Sequence, residues 1–275
     1  MGQGIAIALG GIVERIALLG RSHRPIAAPL TLKTPPWTAV IRDADLLLIA
    51  TPDDAVPAVA SQIAELDAVR PHQVVLHFSG LLDRTALAVL ESSGAGLGSF
   101  HPLQTIADPG SAAQRLTGAC AGVEGDARAI ETGEILARLL GMHPVRIAAG
   151  AKPLYHAAAV IAGNYPAVLA ALAERLARAA GISPETAGRM YLPLLAGAAE
   201  NLLAVGPGQA LTGPVRRGDL ETLRRHLAAL PPDVQPLYRA LGLEAVQLAA
   251  AAGLDAPSVA GVRRVLEGLS PGGQP

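Results

Sequence analysis

Four side chains in this sequence are of a type and placement suited to moving or sharing a proton: Lys152, His156, Ser79 and His101. Lys152 and His156 stand four residues apart at the start of a long Ala-rich stretch, so a helix there puts both on one face. A lysine donates a proton or polarises a carbonyl, and a histidine donates near neutral pH. Ser79 and His101 lie at the ends of short apolar runs, which places them at strand exits, where they can hydrogen-bond a reacting group. Reduction of a carbonyl or imine needs such a set: a proton donor beside the developing oxyanion or amide, groups that fix the substrate, and a hydride carrier. Either Lys152 or His156 fits the acid/base role, with Ser79 and His101 as hydrogen-bonding partners. Each also has a structural reading: a surface cation, a core histidine, a turn before Pro102 and a strand exit before Gly80. The surface reading of Lys152 is weakened by the positive end of the helix dipole, a poor place for a cation.

The elements that must hold these residues divide the chain near residue 150, into 1–150 and 151–275. Short apolar runs bounded by Gly, Pro, Asp or Ser read as strands at Ile16–Leu19, Leu46–Ala50, Gln73–Phe78, Gly96–Phe100 and Ala119–Glu124. Their continuous apolar character suits a parallel sheet covered on both faces. Helical patterns at Gly4–Leu9, Asp54–Ala64 and Ala127–Leu140 alternate with them, giving a doubly wound α/β domain of the Rossmann type. The second half is all-α. Residues 152–180 read as one helix kinked at Pro166, and Ser183 and Asp219 serve as N-caps of later helices.

A dinucleotide-binding fold opens with a strand, then G-x-G-x-x-G turning into a helix whose backbone N–H groups hold a pyrophosphate. Here Met1-Gly2-Gln3-Gly4 reads as the end of that turn, with Gly2 as its third glycine and Gly4 beside it. The sheet is therefore expected to lack its first strand, with that strand and two glycines upstream of Met1. Because such a strand is central, the Ile16 and Leu46 strands would flank an open slot. About 20 positions on, where an acidic residue would select NAD, stand Arg21 and Ser22, donors suited to the 2′-phosphate of NADP. A solvated basic turn is the alternative.

Composition narrows the class. A formal net charge of −1 over 275 residues supplies no field for nucleic acid or anionic lipid, which leaves a small-molecule substrate. The single cysteine, Cys120, rules out an internal disulfide framework and a multi-cysteine metal site, and fits a reducing cytoplasm. No His and carboxylate spacing suggests a metal. The apolar runs 46–50 and 157–162 fall short of the roughly 20 residues of a membrane span.

Several motifs point together. They are Ala50-Thr51-Pro52-Asp53, His77-Phe78-Ser79-Gly80, Gly98-Ser99-Phe100-His101-Pro102, Lys152-Pro153-Leu154-Tyr155-His156, Asn164, Ala210-Leu211-Thr212-Gly213-Pro214 and Arg217-Gly218-Asp219. As a set, over nearly the whole chain, they resemble a bacterial family of Rossmann-like NADP oxidoreductases with a C-terminal helical domain of unknown function. That family is similar to 6-phosphogluconate dehydrogenase, ketopantoate reductase, pyrroline-5-carboxylate reductase and prephenate dehydrogenase. The resemblance implies hydride transfer to or from a small oxo acid, hydroxy acid or cyclic imine, with NADP held by Gly2, Gly4, Arg21, Ser22, Thr51 and Pro52. Ser79 and His101 are similar to a serine and a histidine that contact the reacting hydroxyl in prephenate dehydrogenases. Lys152 is similar in placement to the general-acid lysine of ketopantoate and hydroxyisobutyrate enzymes, although His156 stands where those carry Asn. The resemblance further implies a homodimer through the helical domain, and substrate contacts from Asn164, Thr212 and Arg217. The incomplete glycine motif and His156 leave a second expectation, a non-catalytic NADP-binding sensor or scaffold.

Overall fold

The computed structural model describes residues 1–20 and 30–269. The chain forms two compact units that divide after Tyr165. The division falls beyond the expected boundary near 150, because the helix carrying Lys152 packs with the first unit.

In that unit, the strands are β1 (Leu18–Leu19), β2 (Leu32–Lys33), β3 (Leu46–Ile49), β4 (Val74–His77), β5 (Gly96–Pro102), β6 (Cys120–Gly125) and β7 (His143–Arg146). The helices are α1 (Gly2–Ala8), α2 (Thr38–Arg42), α3 (Val56–Glu65), α4 (Ala112–Leu116), α5 (Ala127–Leu139) and α6 (Lys152–Gly163). Five strands form one sheet in the order β3-β4-β5-β6-β7, while β1 and β2 pair in a separate parallel ribbon. Among the described residues no strand pairing joins the ribbon to the five-stranded sheet. The fold is Rossmann-like and mostly parallel, with one departure: β5 and β6 run antiparallel. Residues 103–119 supply only a 3₁₀ turn and the five-residue α4, with no long crossover helix to carry the chain back across the sheet, so β6 returns in the opposite sense.

The sheet is covered on both faces, as its apolar strands require. On one face Val74, Leu76, Phe100, Ala121 and Val123 pack with Ile5 of α1 and Leu136 of α5. On the other, Leu47, Ile49, Val75 and Leu97 pack with Ile41, Val56 and Ile63 of α2 and α3. Alternate residues of β4 serve opposite cores, the period of two that a strand imposes. Two close approaches fix α1. A Cβ on Gly2 would lie 2.6 Å from Ala50 Cβ, and one on Gly4 would lie 2.8 Å from Ala112 Cβ.

The second unit is helical: α7 (Tyr165–Ala179), α8 (Pro184–Met190), α9 (Leu192–Ala210), α10 (Pro214–Arg217), α11 (Leu220–Ala229), α12 (Gln235–Ala251) and α13 (Ala256–Glu267). Its core gathers Val215, Leu223, Val246, Val262 and Leu266. Ser183 and Asp219 cap α8 and α11, accepting from Thr186 and Thr222 N–H. The single kinked helix expected over 152–180 is two helices separated by Asn164. Pro166 offers no N–H to the carbonyl of Ala162 and its ring crowds that turn, so the ladder breaks two residues before the proline.

Residues 152–179 form a run of 28 with hydropathy 1.4, the stretch among the described residues that is long and apolar enough to cross a bilayer by length and composition. It takes in the 157–162 run and passes the length test that this run alone fails. The proline-associated break and the anchoring of its first turn to the sheet, described below, make it a poor span.

Phe100 is fully buried and packs against Phe78 with centroids 6.1 Å apart. Phe100→Ala is expected to cost about 3–5 kcal/mol in urea denaturation, against under about 1 kcal/mol for exposed Ile135→Ala on α5.

Candidate active site

The carboxyl ends of β3, β4 and β5 lie side by side, because the three strands are parallel neighbours. Ligands of doubly wound sheets bind at such ends. Asp53 follows β3, Ser79 and Gly80 follow β4, and Ser99 and His101 lie in β5. Helix α6 brings Lys152, Tyr155 and His156 onto them.

Lys152 is the centre of the cluster. It is 1% exposed, and its Nζ donates to the Ser79 carbonyl at 2.7 Å and to Ser99 Oγ at 2.9 Å. Ser99 Oγ in turn donates to Glu124 Oε2 at 3.3 Å, across the β5–β6 pair in which the two residues are directly opposed. Glu124 also accepts from Arg84 N–H at 2.9 Å. Burial lowers the lysine pKa to about 8, while the charges of Glu124, Asp53 and Asp83 hold it up. Glu124 is displaced the other way, upward, chiefly by its own burial. Two of the three N–H groups of the ammonium are committed, leaving one for an incoming oxygen or nitrogen.

Ser79 stands differently from the expectation. Its hydroxyl donates to Asp53 Oδ2 at 2.7 Å and accepts from Leu81 and Leu82 N–H at 3.1 and 2.9 Å. A hydroxyl has one proton and two lone pairs, so it is full. Ser79 contributes its carbonyl to Lys152, and its side chain shapes the turn. His77 is similarly occupied: Nδ1 accepts from Ser79 N–H at 3.2 Å, so Nε2 carries the proton that goes to the Asp83 carbonyl at 3.0 Å.

His101 and His156 meet above Gly80. Their ring centroids are 5.7 Å apart, and a Cβ on Gly80 would collide with His156 Nδ1 and lie 2.9 Å from His101 Nε2. The missing side chain makes room for both imidazoles. His156 Nδ1 is buried and has no hydrogen-bond partner among the described residues. His101 Nδ1 lies 2.9 Å from the Tyr155 hydroxyl. Burial, then Lys152 and His156, lower the His101 pKa to about 4.

The structure thus brings Lys152, His156, Ser79 and His101 together, and adds Asp53, Ser99, Glu124 and Tyr155. Of the expected cofactor residues, Gly2 and Thr51 adjoin at the end of β3 through Ala50, and Thr51 Oγ1 is buried without a partner among the described residues. Pro52 follows at the head of a 3₁₀ turn. Gly4 is buried against α4, which gives it a packing role. Arg21 and Ser22 lie outside the described residues. Asn164 is exposed at the end of α6, about 12 Å along the axis from His156 and away from the cluster. Thr212 and Arg217 belong to the second unit.

Two family models match the chain, a Rossmann-like domain over residues 25–102 and the domain of unknown function DUF2520 over residues 119–245. The matched order is a Rossmann-like domain followed by DUF2520. No curated protein matches its sequence. Among solved structures, this chain is similar to a protein from Thermotoga maritima at 24% identity, covering 91% of this chain and 96% of that one with a TM-score of 0.69. An imine reductase from Myxococcus stipitatus in complex with NADP+ matches at 18% identity, 97% and 96% coverage and a TM-score of 0.58. A pyrroline-5-carboxylate reductase from Coxiella burnetii matches at 16% identity, 98% and 95% coverage and a TM-score of 0.52. These likenesses establish the fold, including its continuation from the Rossmann-like domain into the helices.

The low pKa of His101 fixes a pH dependence. Between its ordinary 6.5 and about 4 the unfolded chain binds a proton that the folded chain does not, so this residue lowers stability as pH falls through that window. The urea midpoint of His101→Gln should therefore fall less between pH 7 and pH 4 than that of the parent. Equal falls would show that the imidazole is not held neutral.

Proposed function

We propose that the chain is an NADP(H)-linked oxidoreductase that reduces the C=O or C=N group of a small oxo acid or cyclic imine, or runs the reverse reaction. The observation that carries this reading is the buried Lys152 ammonium, with one uncommitted N–H, at the carboxyl ends of parallel strands and one helical turn from His156. A pKa near 8 keeps it protonated at neutral pH yet close to its donating range, the condition for an efficient general acid. The fold shared with an imine reductase and a pyrroline-5-carboxylate reductase supports the substrate class.

The nicotinamide cofactor would supply the hydride. Gly2, Thr51 and Pro52 would hold it, and the buried, unpartnered Thr51 hydroxyl fits a ligand that offers a polar atom there. Arg21 and Ser22 would select the 2′-phosphate by charge-assisted hydrogen bonds. Lys152 would place its third N–H on the substrate oxygen or nitrogen and release that proton as negative charge develops. Glu124, through Ser99, keeps the ammonium charged and in position. His101 and His156 would bound the substrate above Gly80.

A cofactor-binding scaffold without turnover is favoured by one observation, the fully committed Ser79 hydroxyl. The two readings separate in a direct assay. NADPH is expected to bind about tenfold or more tightly than NADH, and oxo acids or cyclic imines to be reduced with a rate that falls as pH rises through about 8. Lys152→Met should lose on the order of 100-fold or more in kcat, and Glu124→Gln should move the alkaline limb to lower pH. Binding without turnover on any such substrate would establish the scaffold.

Self-association through the helical unit is part of the same proposal. Leu192, Leu194, Leu203 and Val205 of α9 are exposed, Leu203 by 88% and Leu194 by 69%. Large apolar side chains exposed around one helix support its burial in an interface. Light scattering should find a dimer, and Leu194→Glu with Leu203→Glu should yield monomer with retained helicity.

A further inference from the structure

We infer that Tyr155 is a positioning residue that locks His101 in the tautomer carrying its proton on Nε2, so that His101 faces the site as a neutral hydrogen-bond donor and not as a base. The inference rests on the proposed reductase site for its catalytic meaning, and on local geometry for the rest.

Tyr155 lies three residues after Lys152 on α6, its ring edge-on to His101 with centroids 5.6 Å apart. The phenol oxygen has one proton to give. It lies 2.9 Å from His101 Nδ1 but 3.5 Å from the His101 carbonyl. The shorter and better bond takes the phenol proton to Nδ1. Burial raises the Tyr155 pKa to about 12, so the phenol keeps its proton across the working range. A neutral imidazole that accepts at Nδ1 must carry its own proton at Nε2. That nitrogen points to the space above Gly80, where His156 Nδ1 also stands. His101 therefore offers an N–H to a substrate carbonyl or imine region without a second positive charge beside Lys152. A charged imidazole there would repel the ammonium, and an Nδ1–H tautomer would present a lone pair to an electron-rich oxygen.

Gly122 makes the arrangement possible. It pairs with His101 across β5 and β6, and a Cβ at this position would collide with the Tyr155 hydroxyl. Nothing in residue spacing alone singles out Tyr155 or Gly122; the antiparallel pairing of β5 with β6 sets them against His101.

The test reads the tautomer directly. Nitrogen-15 correlation spectra of the imidazole rings at pH 7, with His101→Gln to assign the signals, should show His101 protonated at Nε2 alone. Tyr155→Phe removes the phenol proton, and Gly122→Ala displaces the phenol. Each should give His101 a mixed tautomer with a growing Nδ1–H fraction, while thermal melts report whether the fold persists. With an identified substrate, Tyr155→Phe should lose about tenfold in kcat with little change in KM. An Nδ1–H tautomer in the parent, or an Nε2–H tautomer unchanged in both variants, overturns the assignment. If both variants shift the tautomer but the parent neither binds NADPH nor turns over, the reductase reading fails while the Tyr155–His101 assignment stands.

Discussion

A lysine ammonium with almost no contact with water is the constraint around which the first unit is built. Leaving such a charge unpaired is expensive, and here the compensation comes from three places at once: a carbonyl after β4, a hydroxyl in β5 and, through that hydroxyl, a carboxylate in β6. None of these groups is near Lys152 in sequence. Each strand must therefore end at the right height for the charge to be tolerated. The antiparallel return of β6 sets Glu124 opposite Ser99 and supplies the negative charge. Burial pushes the lysine towards losing its proton while the carboxylates hold it on, and the balance leaves it poised near neutrality.

The same economy governs the neighbours. His77 and Ser79 spend their hydrogen-bonding capacity inside the turn after β4, which makes that turn rigid and its carbonyl a fixed acceptor. His101 and Tyr155 are desolvated enough to stay neutral, so neither adds a charge beside the ammonium. A site organised in this way separates support from contact: serine hydroxyls and carboxylates hold the frame, while one ammonium N–H and two imidazole edges face outward from it.

Much of this was legible in the residues. The β3, β4, β5 and β6 segments are short, apolar and bounded by turn formers, and the structure places them within one or two residues of where the pattern does. Lys152, His156, Ser79 and His101 do converge, because strand ends and a helix start are local features. What could not be read is tertiary. The direction of β6 depends on how residues 103–119 fold back, and with it the roles of Glu124 and Tyr155. Strands β2 and β7 carry no such signal, because Leu32–Lys33 is too short and His143–Arg146 too polar to show a strand pattern. The residues of 152–180 fit one kinked helix as well as two, because a proline allows either a kink or a break and only packing decides which. The spacing of Ser79 suits a ligand-facing role and does not reveal that its own turn saturates it.

The two glycines beside the histidines carry a consequence for how this protein responds to change. Gly80 and Gly122 contribute no atom to the chemistry, yet each keeps open a volume that an imidazole or a phenol must occupy. A survey that deletes side chains one at a time would pass over both, since neither has anything to delete. Their importance is visible only on addition, where one methyl group does to the site what removing a ring would do elsewhere. The empty positions are thus part of its vocabulary, and among the least substitutable.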